Sequence, residues 1–277
     1  MEVMTLGGRS FSPGTTPLLI AGPCVLEDLG DAIRVGAACK EAAEREGFFY
    51  IFKSSYLKDN RSSIDSYRGP GIEKGLEMLK KIGKEVGAPI LTDIHGAAEA
   101  APAAEVCDVL QIPAFLSRQT SLIEAAGGTG RVLNLKKGQF LSPEEMGLAV
   151  EKARRSGAGG VMVTERGTFF GYNNLVVDFT SFPRMRSFDA PLIFDATHSL
   201  QLPGGLENRS GGRPEYARVL ARAAVAAGCD GLFIETHFTP KTCKCDAEAM
   251  MDLGEVPALL AEAARIFAVV RESEGSM

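Results

Sequence analysis

Eight residues able to do acid–base, metal or phosphate chemistry each fall at or just past the end of a short apolar run: Cys24, Lys53, Asp93, Gln111, Lys136, Arg166, His198 and Glu235. Cys24, His198 and Glu235 offer a thiolate, an imidazole and a carboxylate, and Asp246 follows closely enough to add a fourth donor. That mixture suits one zinc or ferrous ion, with manganese and cobalt as further candidates. No compact ligand motif such as HExxH accompanies it, so only a fold could assemble the set. A free cysteine is more often a buried core residue than a ligand. The Cys243–Cys245 pair is a weak metal signal by itself.

The cations form a second constellation. Lys53, Lys58, Arg61, Arg68, Lys136, Lys137 and Arg166 follow the second, fifth and sixth apolar runs. The stretch Lys58-Asp59-Asn60-Arg61-Ser62-Ser63 mixes charge with small hydrogen-bond donors, as a phosphate cradle does. A lone charged residue past a strand is ordinarily a solvated loop residue. Eight polar termini in succession weaken that reading and point to an anionic, phosphorylated substrate beside a metal.

One architecture would bring these termini together. The apolar runs begin at Leu18, Phe48, Pro89, Val109, Arg131, Gly160, Pro191 and Gly231, with helix-like stretches between them. Ile72, Leu76, Leu79, Ile82 and Val86 lie on one helical face, and an Ala/Leu-rich segment from Glu255 to Glu272 closes the chain. Gly47, Gly87, Gly159 and Gly228 precede strands, where helices end. Continuous apolar strands alternating with helices mean parallel strands covered on the outside. Eight such units in 277 residues predict a single (β/α)8 TIM barrel, an α/β fold with its site at the C-terminal strand ends. We expect one catalytic domain over residues 1–277, with 1–16 as an N-terminal extension covering the barrel bottom. A doubly wound sheet loses support because neither GxGxxG nor a P-loop follows the first strand.

Composition sets the outer limits. Thirty Lys+Arg against 35 Asp+Glu give a net charge of -5, which argues against nucleic acid as a partner. No apolar run approaches the roughly 18 residues of a membrane span, so no membrane partner is expected. The start MEVMTLGGRS has no signal-peptide pattern, and six cysteines in so long a chain do not make a disulfide framework. These features predict a reduced, cytoplasmic protein.

Several segments together resemble one family: AGPCVLED, FKSSYLKDNRSSIDSYRGPG, ILTDIH, LQIPAFLSRQTSLIEA, NLKKGQFLSPEEM, ERGTFFGYNNLVVDF, FDATHSLQLPGG and GLFIETHFTP. They are similar to the 3-deoxy-D-manno-octulosonate 8-phosphate (KDO8P) synthases over nearly the whole chain. The resemblance implies condensation of phosphoenolpyruvate with D-arabinose 5-phosphate, in lipopolysaccharide biosynthesis. The related synthases of 3-deoxy-arabino-heptulosonate 7-phosphate (DAHP) use erythrose 4-phosphate and carry Lys-Pro-Arg-Thr/Ser where this chain has KDNRSS. A phosphosugar-binding regulatory barrel without turnover is the non-enzymatic alternative.

The resemblance also assigns residues. Gly22-Pro23-Cys24 matches the metal-dependent members, where the metal-independent ones hold Asn after Gly-Pro. It implies Cys24, His198, Glu235 and Asp246 as ligands of one divalent ion. Ala247-Glu248 replaces the usual Gly-Pro after Asp246, which leaves the geometry of that loop open. Lys53, Lys58, Lys136 and Arg166 match the phosphoenolpyruvate cradle, with Gln111, Ala114 and Phe115 beside it. Asn60, Arg61 and Ser62 match the pentose-phosphate site. Arg118 matches a residue reaching a neighbouring subunit's site, which implies a homotetramer. The glycine-rich segment from Leu202 to Arg213 resembles a mobile cover. For the chemistry, Lys58, Asp93, His198 and Glu235 are the expected catalytic groups, Lys58 as a proton donor with a pKa depressed by burial among cations.

Overall fold

The computed structural model describes residues 1–61, 63–206 and 209–274. Eight parallel strands form the centre: β1 (Leu18–Gly22), β2 (Phe49–Lys53), β3 (Ile90–Asp93), β4 (Val109–Ile112), β5 (Val132–Lys136), β6 (Gly160–Glu165), β7 (Leu192–Asp195) and β8 (Gly231–His237). Each pairs with the next in chain order, and β8 pairs with both β7 and β1, so the sheet closes on itself. The helices between and after them are α1 (Leu29–Arg45), α2 (Ile72–Val86), α3 (Ala97–Ala104), α4 (Thr120–Gly127), α5 (Met146–Arg155), α6 (Ser181–Met185), α7 (Ala217–Ala226) and α8 (Val256–Glu274). This is the expected (β/α)8 barrel, and all eight predicted runs are its strands.

Side-chain parity explains why the strands read as unbroken apolar runs. Alternate residues face opposite sides of a strand. The outward set, including Leu19, Tyr50, Phe52, Ile90, Leu110, Leu133, Val163, Phe194 and Ile234, packs into one large cluster under the helices. The inward set near the strand starts, including Leu18, Ile20, Phe49, Ile51, Leu91, Val109, Val132, Met162, Ile193 and Phe233, forms a separate cluster inside the barrel. An antiparallel N-terminal hairpin (Met4–Leu6 and Arg9–Phe11) adds Met4, Leu6 and Phe11 to that inner cluster. Phe11 lies 5.3 Å from Phe49, ring centre to ring centre, so the hairpin stoppers the N-terminal end.

The helices take their expected faces. On α2, Leu76, Leu79, Ile82 and Val86 are buried, and the helix stops at Gly87, whose φ of 63° is the left-handed conformation that suits glycine. Asp28 caps α1 by accepting from the Asp31 amide at 2.8 Å. Gly159 differs from the other pre-strand glycines: it is not in the left-handed region, and a Cβ there would meet the Gly130 carbonyl at 2.4 Å. Close packing, not a helix end, requires that glycine. No helix among the described residues is long and apolar enough to cross a membrane.

Two features shape the C-terminal mouth. An antiparallel pair, Gln201–Leu206 with Arg209–Gly212, rises after β7. A short strand, Met251–Asp252, adds in parallel to the end of β8 and returns the loop that carries Cys243, Cys245 and Asp246.

Candidate active site

Inward parity continues up each strand and there turns polar. Two residues beyond Ile51, Leu91, Val109, Val132, Met162, Ile193 and Phe233 stand Lys53, Asp93, Gln111, Asn134, Thr164, Asp195 and Glu235, all buried. One directional chain crosses this layer. Thr164 donates to Asn134 at 2.8 Å, Asn134 donates to Gln111 at 2.7 Å, and Gln111 donates to Asp93 at 2.5 Å. An ionised carboxylate only accepts, so Asp93 fixes which way the two amides point. Ser55 donates to its other oxygen.

The candidate metal donors gather at one wall. Cys24 Sγ, Cys245 Sγ and an Asp246 oxygen lie within 4.8 Å of one another, and so do donor atoms of His198, Glu235 and Asp246. Asp246 belongs to both groups, so thiol, imidazole and carboxylate donors converge on one region, a mixture that fits a divalent ion of the zinc or ferrous type. With Ala247-Glu248 after it, Asp246 adopts φ 49°, and its carbonyl accepts from the Ala249 and Met250 amides at 2.9 and 3.0 Å. Gly22 lets the Cys24 turn approach β2, since a Cβ there would meet the Lys53 carbonyl at 2.2 Å. His198 is held from behind: its Nδ1 is 2.7 Å from Asp195, leaving Nε2 3.3 Å from Glu235. A carboxylate behind a histidine in this way orients the ring and fixes the free nitrogen toward a metal.

Cations surround the same region. Lys53 donates to Glu235 at 2.6 Å and stands 3.7 Å from Asp93. Lys58 lies 3.6 Å from Glu235 and 3.9 Å from Asp93. Lys136 pairs with Asp195 and sits 3.6 Å from the centre of the Phe233 ring. Arg166 donates to Gln201 at 2.6 Å and to the His198 carbonyl at 3.0 Å, and Gln201 in turn donates to Asp246 at 2.8 Å. Burial raises the carboxyls of Asp93 and Glu235, but Lys53 and Lys58 beside both, with His198 beside Glu235, outweigh it and hold them well below the ordinary range. Lys58 departs from expectation. Burial lowers its ammonium, yet Cys24, Glu235 and Asp93 outweigh burial and raise it well above the usual lysine value. Acidic neighbours dominate there, not cations. Lys136 is the lysine with a lowered pKa, through burial and the nearby Lys53, partly offset by Asp195.

A cavity of about 560 Å³ opens on this layer. Lys53, Lys58, Asp93, Gln111, Lys136, Arg166, His198 and Asp246 line it, together with Asn60, Arg61, Ala114 and Phe115. The hairpin after β7 contributes Pro203 and Gly204 to its edge. Arg61 crosses to the far loop, donating to Cys245 Sγ at 2.8 Å and to the Lys244 carbonyl at 3.2 Å, with its buried Nε unpartnered. Three candidate cations stand elsewhere. Lys137 is buried outside the cavity lining, 3.5 Å from Glu165, because parity turns it outward beside Lys136. Arg68 pairs with Asp59 in the open, and Arg118 is exposed outside the lining. Ser62 lies outside the described residues.

Sequence reasoning passed over Asn134, Thr164, Asp195 and Gln201, and weighed Cys245 only as half of a weak pair. Inward parity from the apolar layer would have found the first three. Nothing in the sequence marks Gln201.

A closed parallel barrel with charged and metal-type donors at its C-terminal mouth defines an enzyme of the (β/α)8 class. Within that class the chain belongs to the DAHP synthetase I family, whose match spans residues 10–269. A 2-dehydro-3-deoxyphosphooctonate aldolase from Nitratidesulfovibrio vulgaris (strain DP4) is 54% identical over 251 residues, covering 91% of this chain and 92% of that protein. Proteins of the same name from Syntrophobacter fumaroxidans and Trichlorobacter lovleyi are each 50% identical, the first covering 93% of this chain and 90% of its own length, the second 97% and 98%. The resemblance to the KDO8P synthases is thereby borne out.

Proposed function

We propose that this chain joins phosphoenolpyruvate to D-arabinose 5-phosphate and water, releasing 3-deoxy-D-manno-octulosonate 8-phosphate and inorganic phosphate. The observation that carries this is one cavity lined by Lys53, Lys58, Lys136, Arg61 and Arg166 beside the converging donors Cys24, His198, Glu235 and Asp246. Two phosphorylated anions repel strongly when water is excluded, and buried cations offset that repulsion. The names of the relatives support the same substrates.

C3 of phosphoenolpyruvate attacks the aldehyde carbon, water adds at C2, and the C2–O bond to phosphate breaks. Lys53, Lys136 and Arg166 hold the phosphoenolpyruvate anion, with Gln111 and the Ala114–Phe115 segment along its side. Asn60, Arg61 and Ser62 take the pentose phosphate. Lys58 faces the aldehyde oxygen, where a raised pKa makes it chiefly a positive charge opposite the growing alkoxide. Asp93 and Glu235, both ionised, accept hydrogen bonds from the attacking water and help to move its proton, although carboxyls held so low are weak bases. His198 is kept in one orientation by Asp195. A divalent ion held by Cys24, His198, Glu235 and Asp246 would supply Lewis acidity beside the aldehyde. Zinc or iron fits this set best; manganese and cobalt are the further candidates.

We further read residues 1–277 as one catalytic domain of a cytoplasmic homotetramer. Arg118, exposed and away from its own cavity, supports a role in a neighbouring subunit's site.

The test is phosphate release from phosphoenolpyruvate with arabinose 5-phosphate and erythrose 4-phosphate in parallel, before and after chelation and metal add-back. Turnover confined to the pentose, lost on chelation and regained on add-back, is expected. Preference for the tetrose would make the chain a DAHP synthase. Ligand binding without turnover would leave a regulatory barrel.

A further inference from the structure

We propose that Cys245 is a second thiolate donor to the metal beside Cys24, an inference that rests on the metal reading above. The starting point is a single carboxylate oxygen. Asp246 Oδ2 accepts from Cys24 Sγ at 3.1 Å and from Cys245 Sγ at 3.3 Å. Neighbouring donors held at about 2.0–2.3 Å from one ion stand roughly 3–4 Å apart. All three of these atoms lie within 4.8 Å of one another, and Asp246 also belongs to the His198–Glu235 group. One cation in place of the two thiol protons would sit between these three atoms, on the side that Asp246 shares with His198 and Glu235.

The backbone explains how neighbours in sequence reach one centre. Successive side chains of an extended strand point to opposite faces. Asp246 instead adopts φ 49°, a left-handed turn that aspartate tolerates better than most residues. The turn sets the Cys245 sulfur and the Asp246 carboxylate side by side.

The surroundings separate Cys245 from an inert core cysteine. Val25 and Met250 pack around the two thiols and shield them from water, as a core would. The polar contacts do not belong to a core. Besides the Asp246 carboxylate, the Arg61 guanidinium donates to the Cys245 sulfur at 2.8 Å. A second thiolate adds negative charge to a site that already holds Cys24, Glu235 and Asp246. Arg61 on Cys245, and Lys53 and Lys58 on Glu235, offset it.

Two sulfurs make the centre softer than one. Thiolates favour zinc, ferrous iron and cadmium over manganese and magnesium. Cys245 is thus a metal-selecting residue of this chain.

X-ray absorption of the full, unmutated chain loaded with zinc tests this without any variant. The expected result is two sulfur scatterers at about 2.3 Å. A single sulfur overturns the assignment of Cys245 and leaves the metal reading standing. Failure to retain zinc at all overturns both. Cobalt-loaded variants add a second readout: the thiolate-to-cobalt charge-transfer band should fall by about half in Cys245→Ser and again in Cys24→Ser, since each thiolate ligand contributes to it. Full band intensity in folded Cys245→Ser would also overturn the assignment. Zinc affinity in Cys245→Ser should fall at least about 10-fold, and manganese affinity much less.

Discussion

The two halves of the barrel interior are built on the same eight strands, two residues apart, and do opposite things. The lower half is an apolar plug in which Ile51, Leu91, Val109, Ile193 and Phe233 meet the N-terminal hairpin. The upper half is a layer of buried Lys53, Asp93, Gln111, Asn134, Lys136, Asp195 and Glu235. Burying hydrocarbon is favourable, whereas burying ionised groups is costly and needs full pairing to offset it. Here each carboxylate of the layer has a cation or amide partner. The difference teaches where stability and chemistry reside. The lower half holds the barrel shut by burial, so the upper half can keep charged groups at the mouth of the cavity.

The sharpest way to break this division is at the donors. Cys24→Ala should reduce bound metal from about one per chain to near zero and cut turnover more than about 100-fold, since even outer partners of a metal cost 10–100-fold. Metal content and phosphate release, measured on one preparation, check it. Full activity in metal-stripped Cys24→Ala would put the chemistry outside the donor wall. At the other end, Phe11→Ala removes a fully buried ring from the plug and should cost about 3–5 kcal/mol of unfolding free energy. KM for phosphoenolpyruvate should stay unchanged in the protein that remains folded. A shifted KM with unchanged stability would erase the distinction between the halves. Arg166→Ala, in the upper half, should do the reverse: about 2–5 kcal/mol of lost anion binding, roughly 30- to 4,000-fold in kcat/KM for phosphoenolpyruvate. Steady-state kinetics with each substrate varied checks that the loss falls on phosphoenolpyruvate.

The comparison also explains what was readable from sequence. Barrel strands announce themselves because both faces are buried, and their polar ends stood out against apolar runs. Lys53, Asp93, Gln111 and Glu235 were therefore legible. Asp195 was hidden by His198, three residues on, which looks like the natural strand-end ligand. Asn134 and Thr164 are neutral residues within strands, and only their inward parity sets them apart. Lys136 and Lys137 read alike as a pair, yet parity sends the first to Asp195 and the second to Glu165. Gln201 and the contact between Cys245 and Cys24 depend on loop paths that no local pattern encodes. The depressed Lys58 pKa was expected from counting cations. The fold instead sets Cys24, Glu235 and Asp93 around that ammonium.

The mildest test concerns the hydrogen-bonded chain that organises the upper half. Asp93→Asn replaces an acceptor-only group with an amide, so a donor must now face either Ser55 or Gln111. The cost should be about 1–3 kcal/mol at neutral pH. Its pH dependence identifies the source. The folded Asp93 carboxyl lies below its unfolded value, so its stabilisation is fully present above the unfolded pKa of about 3.9 and is lost as pH falls through the folded value. The stability gap between the parent and Asp93→Asn, measured by urea unfolding, should be level from pH 7 to about 5 and narrow below about 4. A gap that stays constant at low pH would mean that packing, not the ionised carboxylate, is what Asp93 contributes, and the upper half would then be held by the same means as the lower.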